Sequence, residues 1–345
     1  MAKQQSSEEV VILMAVFNGA LDLPEQLDSF VRQTHESWSL IASDDGSSDN
    51  SLEVLNDFAN GQRKNGRKVE IISGAGKGFV VNFLSLIEAA TETAQWVAIS
   101  DQDDVWLPER LSMGLSALQA VPDQTPSLYC SQTWVVDQNL QNRRPSTRFT
   151  KPSCFRNALV QNIVPGNTIL LNRKAFELVR AAAAKAKSVR GLPAHDWLMY
   201  QLVTGAGGTV IRDERPTLLY RQHGANQIGA NDSWAARIKR IRQLFSGHFR
   251  SWISANTQAV HQSRDALTDD HRRELDLFIR MREAPVISRI LAARKIGVYR
   301  QSFFGQLALW AAICSIPDDH IDPRRSALFM ARSILNEVRD GRSAC

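Results

Sequence analysis

The sequence predicts an α/β fold, a sheet of largely parallel strands flanked by crossover helices. Three observations predict it. Short β-branched runs alternate with stretches of helical periodicity over the first 130 residues. Clusters rich in Asp, Ser and Gly fall at the carboxyl ends of those runs. The chain has 345 residues, 43% of them apolar and 22% charged, enough for a large core and too apolar for wholesale disorder.

Val10 to Ala15 reads as the first strand. Leu23, Leu27, Phe30 and Val31 then recur at three- and four-residue spacing, one apolar face of a helix. Trp38 to Ser43 is the second strand and runs into Asp44-Asp45-Gly46-Ser47-Ser48. A helix follows, with Ser48 or Asp49 as N-cap and Leu52, Leu55 and Phe58 facing inward. Val69 to Ser73 is the third strand, followed by a Gly-rich loop and a helix over Phe79 to Ala90. Trp96 to Ser100 is the fourth, and it leads straight into Asp101-Gln102-Asp103-Asp104. Downstream, Pro165-Gly166-Asn167-Thr168 precedes a strand at Ile169 to Leu171, His195-Asp196-Trp197 opens a helix, and Leu218 to Tyr220 is a strand. In an open α/β sheet ligands bind beyond the carboxyl ends of the strands, so these polar loops together form a candidate site.

Several function classes are excluded. Gly74, Gly76 and Gly78 do not make a dinucleotide fingerprint, because Phe79 holds its last position. Lys77 is followed by Gly78 rather than Ser or Thr, and Ile71 stands where a P-loop has its first glycine. Val105 and Trp106 occupy positions where a Ca²⁺-binding loop needs a ligand and a glycine. Cys130, Cys154, Cys314 and Cys345 show neither zinc spacing nor a disulfide framework, which suits a reducing cytosol. No signal peptide is read, and the apolar stretch from Ser302 to Pro317, at most 16 residues, falls short of a bilayer span.

Two features call for a partner. Asp101 and Asp103 are alternate residues leaving a strand, and a hard divalent cation favours one or two carboxylates together with substrate phosphates. The competing reading makes Asp103 or Asp104 the N-cap of a helix opened by Pro108. From residue 235 onward, 19 Lys and Arg stand against 11 Asp and Glu, whereas the preceding residues are net acidic. This basic region carries Ile238, Ile241, Leu244 and Phe245 and later Phe303-Phe304 and Trp310, a composition suited to an anionic membrane surface. A helical subdomain with a solvated charged face, or a dimer surface, explains the same residues. No nucleic-acid module is present.

The segments Val16-Phe17-Asn18-Gly19, Ser43 to Asp49 and Ser100-Asp101-Gln102-Asp103-Asp104-Val105-Trp106-Leu107-Pro108 resemble the nucleotide-binding and Asp-X-Asp motifs of family 2 inverting glycosyltransferases. The Ser-Asp-Gln-Asp-Asp-Val-Trp form is similar to bacterial rhamnosyltransferase-type members that build surface polysaccharides. The resemblance covers residues 10 to about 230. It implies a GT-A fold, a Rossmann-like mixed sheet flanked by helices, with a C-terminal helical extension. The implied organisation is a flexible lead at 1–9, a transferase domain at 10–233 and a basic, amphipathic helical region at 234–345. Within the domain, 10–130 would bind the nucleotide sugar and 131–233 the acceptor.

Carried over residue by residue, the resemblance implies that Ala15, Phe17, Asn18 and Asp45 hold the nucleotide, Asp45 accepting from a uracil or thymine N–H while Asp44 is structural. Lys77, Asn82 and Gln102 would lie about the donor, and Asp101 would contact ribose or the ion. Asp103 would be the principal ligand of a Mg²⁺ or Mn²⁺ ion, with His223 reaching the diphosphate or the metal. Asp196 would be the catalytic base, beside Trp197 as a sugar-stacking face. Plainer alternatives stand beside these: a solvated loop lysine for Lys77, a loop histidine without a role for His223, and a helix-start carboxylate for Asp196. Residues Gln227 to Asn231 read as a flap over the donor.

The expected activity is transfer of a sugar, L-rhamnose from dTDP-rhamnose, to a saccharide acceptor of bacterial surface polysaccharide. The alternatives are a hexosyltransferase using a UDP-sugar and a catalytically silent nucleotide-sugar-binding subunit. The acceptor would be lipid-linked and the enzyme cytoplasmic, peripheral at the inner face of the membrane, with no nucleic-acid partner.

Overall fold

The structure, a computed structural model, describes residues 8–222 and 248–314. Its first half is a run of parallel strands, β1 (Val10–Val16), β2 (Trp38–Asp44), β3 (Val69–Ser73) and β4 (Trp96–Ser100). β1 lies between β2 and β4, and β3 lies outside β2. The crossovers are α1 (Leu23–Val31), α2 (Ser51–Lys64) and α3 (Phe79–Ala89). β1 reads VVILMAV because both its faces are covered by protein, the usual condition of a central parallel strand. Alternation then sorts the side chains. Ile12, Met14, Leu40 and Ala98 meet Leu27, Phe30 and Leu55 on one face, while Leu13, Ile41, Val97 and Ile99 meet Phe83 and Ile87 on the other.

The second half adds β5 (Val105–Trp106), α4 (Arg110–Gln119), β6 (Ser127–Val136), β7 (Arg144–Pro145) and α5 (Phe155–Ala158). A 3₁₀ turn at Gly166–Thr168, β8 (Leu170–Asn172), α6 (Arg173–Lys187), α7 (His195–Gly205) and β9 (Thr209–Arg221) follow. Antiparallel pairing enters here. β8 runs antiparallel to both β4 and β6, and β9 runs parallel to β6 but antiparallel to β5. The strand order is β3-β2-β1-β4-β8-β6-β9-β5, with β7 on β6, so the sheet is mixed as the family resemblance implies.

Beyond residue 247 lie α8 (His248–Gln262), α9 (Asp269–Met281), α10 (Val286–Ile296) and α11 (Phe303–Cys314). Phe249, Ile253, Phe278, Ala293 and Leu309 bury into the same apolar cluster as Phe176 of α6 and Leu198 of α7. The helical region thus shares a core with the sheet. No helix among the described residues is long and apolar enough to cross a membrane, and Cys130, Cys154 and Cys314 form no disulfide.

Three local expectations change. α2 starts at Ser51, two residues later than a Ser48 cap would give and one later than an Asp49 cap, and Asn50 stands in the cap position. Asp49 serves the turn instead, its Oδ1 accepting from the Ser51 amide and hydroxyl. Because Ser51 turns inward to accept from the Gly19 amide, Leu52, the next residue around the helix, faces out and is 45% exposed. Val31 is likewise exposed, at the end of α1. The short strand expected at 218–220 is the end of the 13-residue β9.

Asn172 joins three of these elements. Its Oδ1 caps α6 by accepting from Ala175 N at 3.0 Å and also accepts from Ser127 N at 2.9 Å, while its Nδ2 donates to Thr125 O at 2.8 Å. Removing it strips a cap and orphans a buried amide at the start of β6. Asn172→Ala is expected to cost about 2–3 kcal/mol of stability. Denaturant unfolding checks this, and a cost below about 0.5 kcal/mol, the usual range of an indifferent surface change, would contradict it.

Candidate functional site

Four loops meet at the carboxyl ends of β1 to β4. Asn18 follows β1 at φ 49°, a left-handed conformation that Asn tolerates. Its amide donates to Ser47 Oγ and its Oδ1 accepts from Ser48 N, both at 2.8 Å, which ties the first loop to the second. Asp44 closes its own turn, accepting from Ser47 N and Oγ, as its structural assignment anticipates. Asp45 is buried, and its two oxygens accept from Gly76 N and Gly78 N at 2.8 Å each. The carboxylate thereby fixes the Gly-rich loop on either side of exposed Lys77. Asn82 is buried below this loop and its amide is engaged with Ser43, accepting from Oγ and donating to the carbonyl. It supports the second and third loops from beneath.

The fourth loop is joined to the first by Gln102. Its Oε1 accepts from Phe17 N at 2.7 Å and its Nε2 donates to Phe17 O at 3.0 Å, a two-point amide clamp on the main chain. Gly19 makes room for it, since a Cβ there would lie 2.5–2.7 Å from the Gln102 amide. The clamp leaves the Phe17 ring exposed, while Ala15 sits half-buried within β1.

Asp101, Asp103 and Asp104 bring carboxylate oxygens within 4.8 Å of one another. Burial first, and then the charge of Asp103, raise the pKa of both Asp101 and Asp104 above the usual carboxylate range. Asp104 is not a helix cap. It is fully buried, accepts from Asn167 Nδ2 at 2.6 Å, and α4 begins only at Arg110, with Glu109 in the cap position. Arg110 lies beneath, stacked 3.4 Å over Trp106 and donating to Ile99 O and Asn167 O. Burial lowers its pKa to about 9, so it stays charged at neutral pH and draws the Asp101 pKa back down. An all-oxygen cluster whose charged form burial and mutual repulsion penalise suits a hard divalent cation, which would offset that penalty, with Asp101 and Asp103 as the ligands that keep some exposure.

Asp196 stands in the first turn of α7. Its Oδ1 accepts from Trp197 N at 2.6 Å, and the Asn162 side chain and Gly166 amide also donate to it. Those bonds stabilise the charged form, yet burial outweighs them and pushes its pKa up to about 6. Asp101 feels the charge of Asp196, which brings the candidate base to the Asp-rich loop although 95 residues separate the two in sequence. Trp197 is not a sugar platform. It is 6% exposed and points into the core, Nε1 donating to Ala158 O at 2.7 Å, because α7 is buried on nearly every side. His223 and the 227–231 segment lie outside the described residues.

Sequence reasoning missed Arg110, Asn162 and Arg221. Each binds main chain or carboxylate from another segment of the chain, so nothing in its local spacing announces it. His195 was read only as the neighbour of Asp196. It stacks on Phe83 at 3.9 Å, and neither ring nitrogen has a partner among the described residues. Burial drives its pKa down to about 3. The folded state therefore binds fewer protons here than the unfolded chain, whose histidine titrates near 6.5. This burden on stability is absent above about pH 6.5 and grows as pH falls toward 3, by up to about 1.4 kcal/mol per pH unit. His195→Leu is expected to flatten the pH dependence of unfolding free energy in that window, and parallel profiles for the two proteins would contradict the assignment.

Comparison with known proteins finds relatives of this chain. The family described as Glycosyl transferase family 2 matches residues 11–179. The chain is 26% identical to the dTDP-rhamnosyl transferase RfbG of Shigella flexneri over 251 residues, 72% of this chain and 84% of that protein. An uncharacterized glycosyltransferase of Nostoc sp. is 31% identical over 111 residues, 32% of this chain and 33% of that protein. Among solved structures, S. aureus TarS 1-349 in complex with UDP has a TM-score of 0.47 at 12% identity, over 98% of this chain and 93% of that one. The match at 11–179 spans all four loops and the Asp101–Asp104 cluster, so the segment that carries the candidate site is the one that resembles glycosyl transferase family 2.

Proposed function

We propose that this glycosyltransferase moves a sugar from a nucleotide donor to a saccharide hydroxyl in one inverting displacement. The observation that carries the proposal is the convergence of the Asp101–Asp103 carboxylates with Asp196, a base of raised pKa, at one end of the sheet. Asp196 accepts the acceptor hydroxyl's proton as its oxygen bonds to the anomeric carbon. The bond from that carbon to the β-phosphate oxygen breaks on the opposite face, and the nucleoside diphosphate leaves with the electron pair. Proton transfer is late, since a sugar hydroxyl is far too weak an acid to ionise beforehand. Asp103 and Asp101 would hold a Mg²⁺ or Mn²⁺ ion, which when bound supplies Lewis-acid stabilisation of the departing phosphate charge. The loop bearing Lys77, fixed by Asp45, borders the same space.

The donor is assigned to the dTDP-sugars, with L-rhamnose as the sugar. This rests on likeness to the Shigella flexneri dTDP-rhamnosyl transferase. A UDP-hexose is the second reading, supported by relatives such as the E. coli protein named a UDP-Glc-dependent β-1,3-glucosyltransferase, 26% identical over 109 residues. A silent binding subunit is disfavoured, because a protein that only binds has no use for a base of raised pKa beside the donor loops. The acceptor is a lipid-linked saccharide of a bacterial surface polysaccharide, met at an anionic membrane face. Phe303 and Phe304 on α11, 71% and 74% exposed, support that placement.

Asp196→Asn is expected to lower kcat by at least about a hundredfold with donor affinity held within about twofold. Asp103→Ala is expected to weaken donor binding in Mn²⁺ about tenfold or more and to abolish its sensitivity to EDTA. Calorimetric titration paired with initial rates checks both. Loss of donor affinity in Asp196→Asn would make the residue structural, and unchanged EDTA sensitivity in Asp103→Ala would remove the metal assignment.

A further inference from the structure

We propose that Arg221 is a positioning residue for the candidate metal ligand Asp103, gripping the main chain of the Asp-rich loop and so setting the direction in which that carboxylate leaves it. This rests on the reading of Asp103 as a metal ligand. Arg221 ends β9 and is 4% exposed. Its Nε donates to the carbonyl of Asp103 at 3.0 Å. That carbonyl belongs to the peptide joining Asp103 to Asp104, so its direction governs how the partly exposed Asp103 and the buried Asp104 diverge from one loop. Fixing this peptide fixes both side chains.

The grip is anchored on other segments. Arg221 Nη1 donates to Gln138 O, just past β6, at 2.5 Å. The same guanidinium pairs with Asp22 at 3.3 Å and with Glu25, at the start of α1. One side chain thus joins residues 22–25, 103 and 138, which are distant in sequence. Two carboxylates beside the guanidinium offset its charge, so it acts as a fastener rather than as a phosphate ligand. Repulsion among Asp101, Asp103 and Asp104 tends to splay the loop, and a main-chain tether resists this without spending any of the three carboxylates. Lysine is no substitute, because its compact ammonium lacks the planar fork that reaches several acceptors at once.

The test uses the full chain with Arg221→Lys and Arg221→Gln, and Glu25→Gln as a milder variant that weakens the anchor from an exposed position. Unfolding midpoints in EDTA establish that each variant is folded. Binding of Mn²⁺ alone is followed by the electron paramagnetic resonance signal of the free ion. Binding of dTDP and UDP in EDTA is measured by calorimetry. The expected result is a 10- to 100-fold rise in the Mn²⁺ dissociation constant for the Arg221 variants, the usual consequence of losing a support behind a metal ligand. A rise of a few-fold is expected for Glu25→Gln, with nucleotide binding in EDTA within about twofold of wild type throughout. Unchanged Mn²⁺ affinity in folded variants would overturn the proposal, as would an equal loss of metal-free nucleotide binding, which marks a merely structural residue. If the Arg221 variants do not fold, unchanged Mn²⁺ affinity in Glu25→Gln overturns it alone. Absence of Mn²⁺ binding in the wild type would instead remove the metal reading of Asp103, and this proposal with it.

Discussion

Electrostatic crowding at the end of β4 is the constraint on which the site depends. Asp101, Asp103 and Asp104 hold carboxylate oxygens within 4.8 Å of one another. Two like charges 4 Å apart repel by about 4 kcal/mol at an effective dielectric of 20. Left to itself, such a loop would spread or take up protons. Three of its residues are instead held from different parts of the fold: Gln102 from the β1 loop, the Asp103 carbonyl from Arg221 and Asp104 from Asn167. Arg110 sits underneath as a countercharge. The residual strain is what a divalent cation and a diphosphate donor would relieve together, which gives the cluster a chemical reason to exist.

The mixed sheet explains how Asp196, from another part of the chain, reaches this cluster. β8 runs antiparallel beside β4, so the segment leading into β8 arrives at the carboxyl end of β4. That segment touches both sides of the site. Ala158 O accepts from Trp197 and Gln201 of α7, Asn162 and Gly166 donate to Asp196, and Asn167 binds Asp104 while its carbonyl accepts from Arg110. Residues 158–167 therefore act as a spacer between Asp196 and the Asp-rich loop, held by hydrogen bonds and core packing.

The parts of this arrangement that were legible in the sequence share a property: the signal is local. β1, β2 and β4 showed as apolar runs because each is largely buried on both faces, β3 is the half-buried edge strand, and the Asp and Gly clusters showed because loops at strand ends concentrate their polar residues. The positions of Asp45, Asp101, Asp103 and Asp196 at strand ends or a helix start were legible for the same reason, whereas the engagement of both Asp45 oxygens with Gly76 and Gly78 was not. What failed was side-chain direction and distant pairing. Trp197 looked available for a sugar because Asp196 precedes it, but one step around a buried helix turns a ring into the core. Leu52 looked inward by periodicity until Ser51 claimed the inner position through Gly19. Arg221 lay inside a segment read for its histidine, and its role rests on contacts with residues 22, 25, 103 and 138 that no periodicity encodes.

The central claim is that the four loops and the Asp-rich cluster form one nucleoside-diphosphate site completed by a divalent cation. Thermal-shift measurement of the purified protein with dTDP, UDP and GDP, each in Mn²⁺, Mg²⁺ or EDTA, tests it most directly, because a ligand that binds only the folded state raises its stability by mass action. The account predicts a rise in the unfolding midpoint for dTDP or UDP that is largest with metal and falls in EDTA. No shift with any nucleotide under any of these conditions would contradict it.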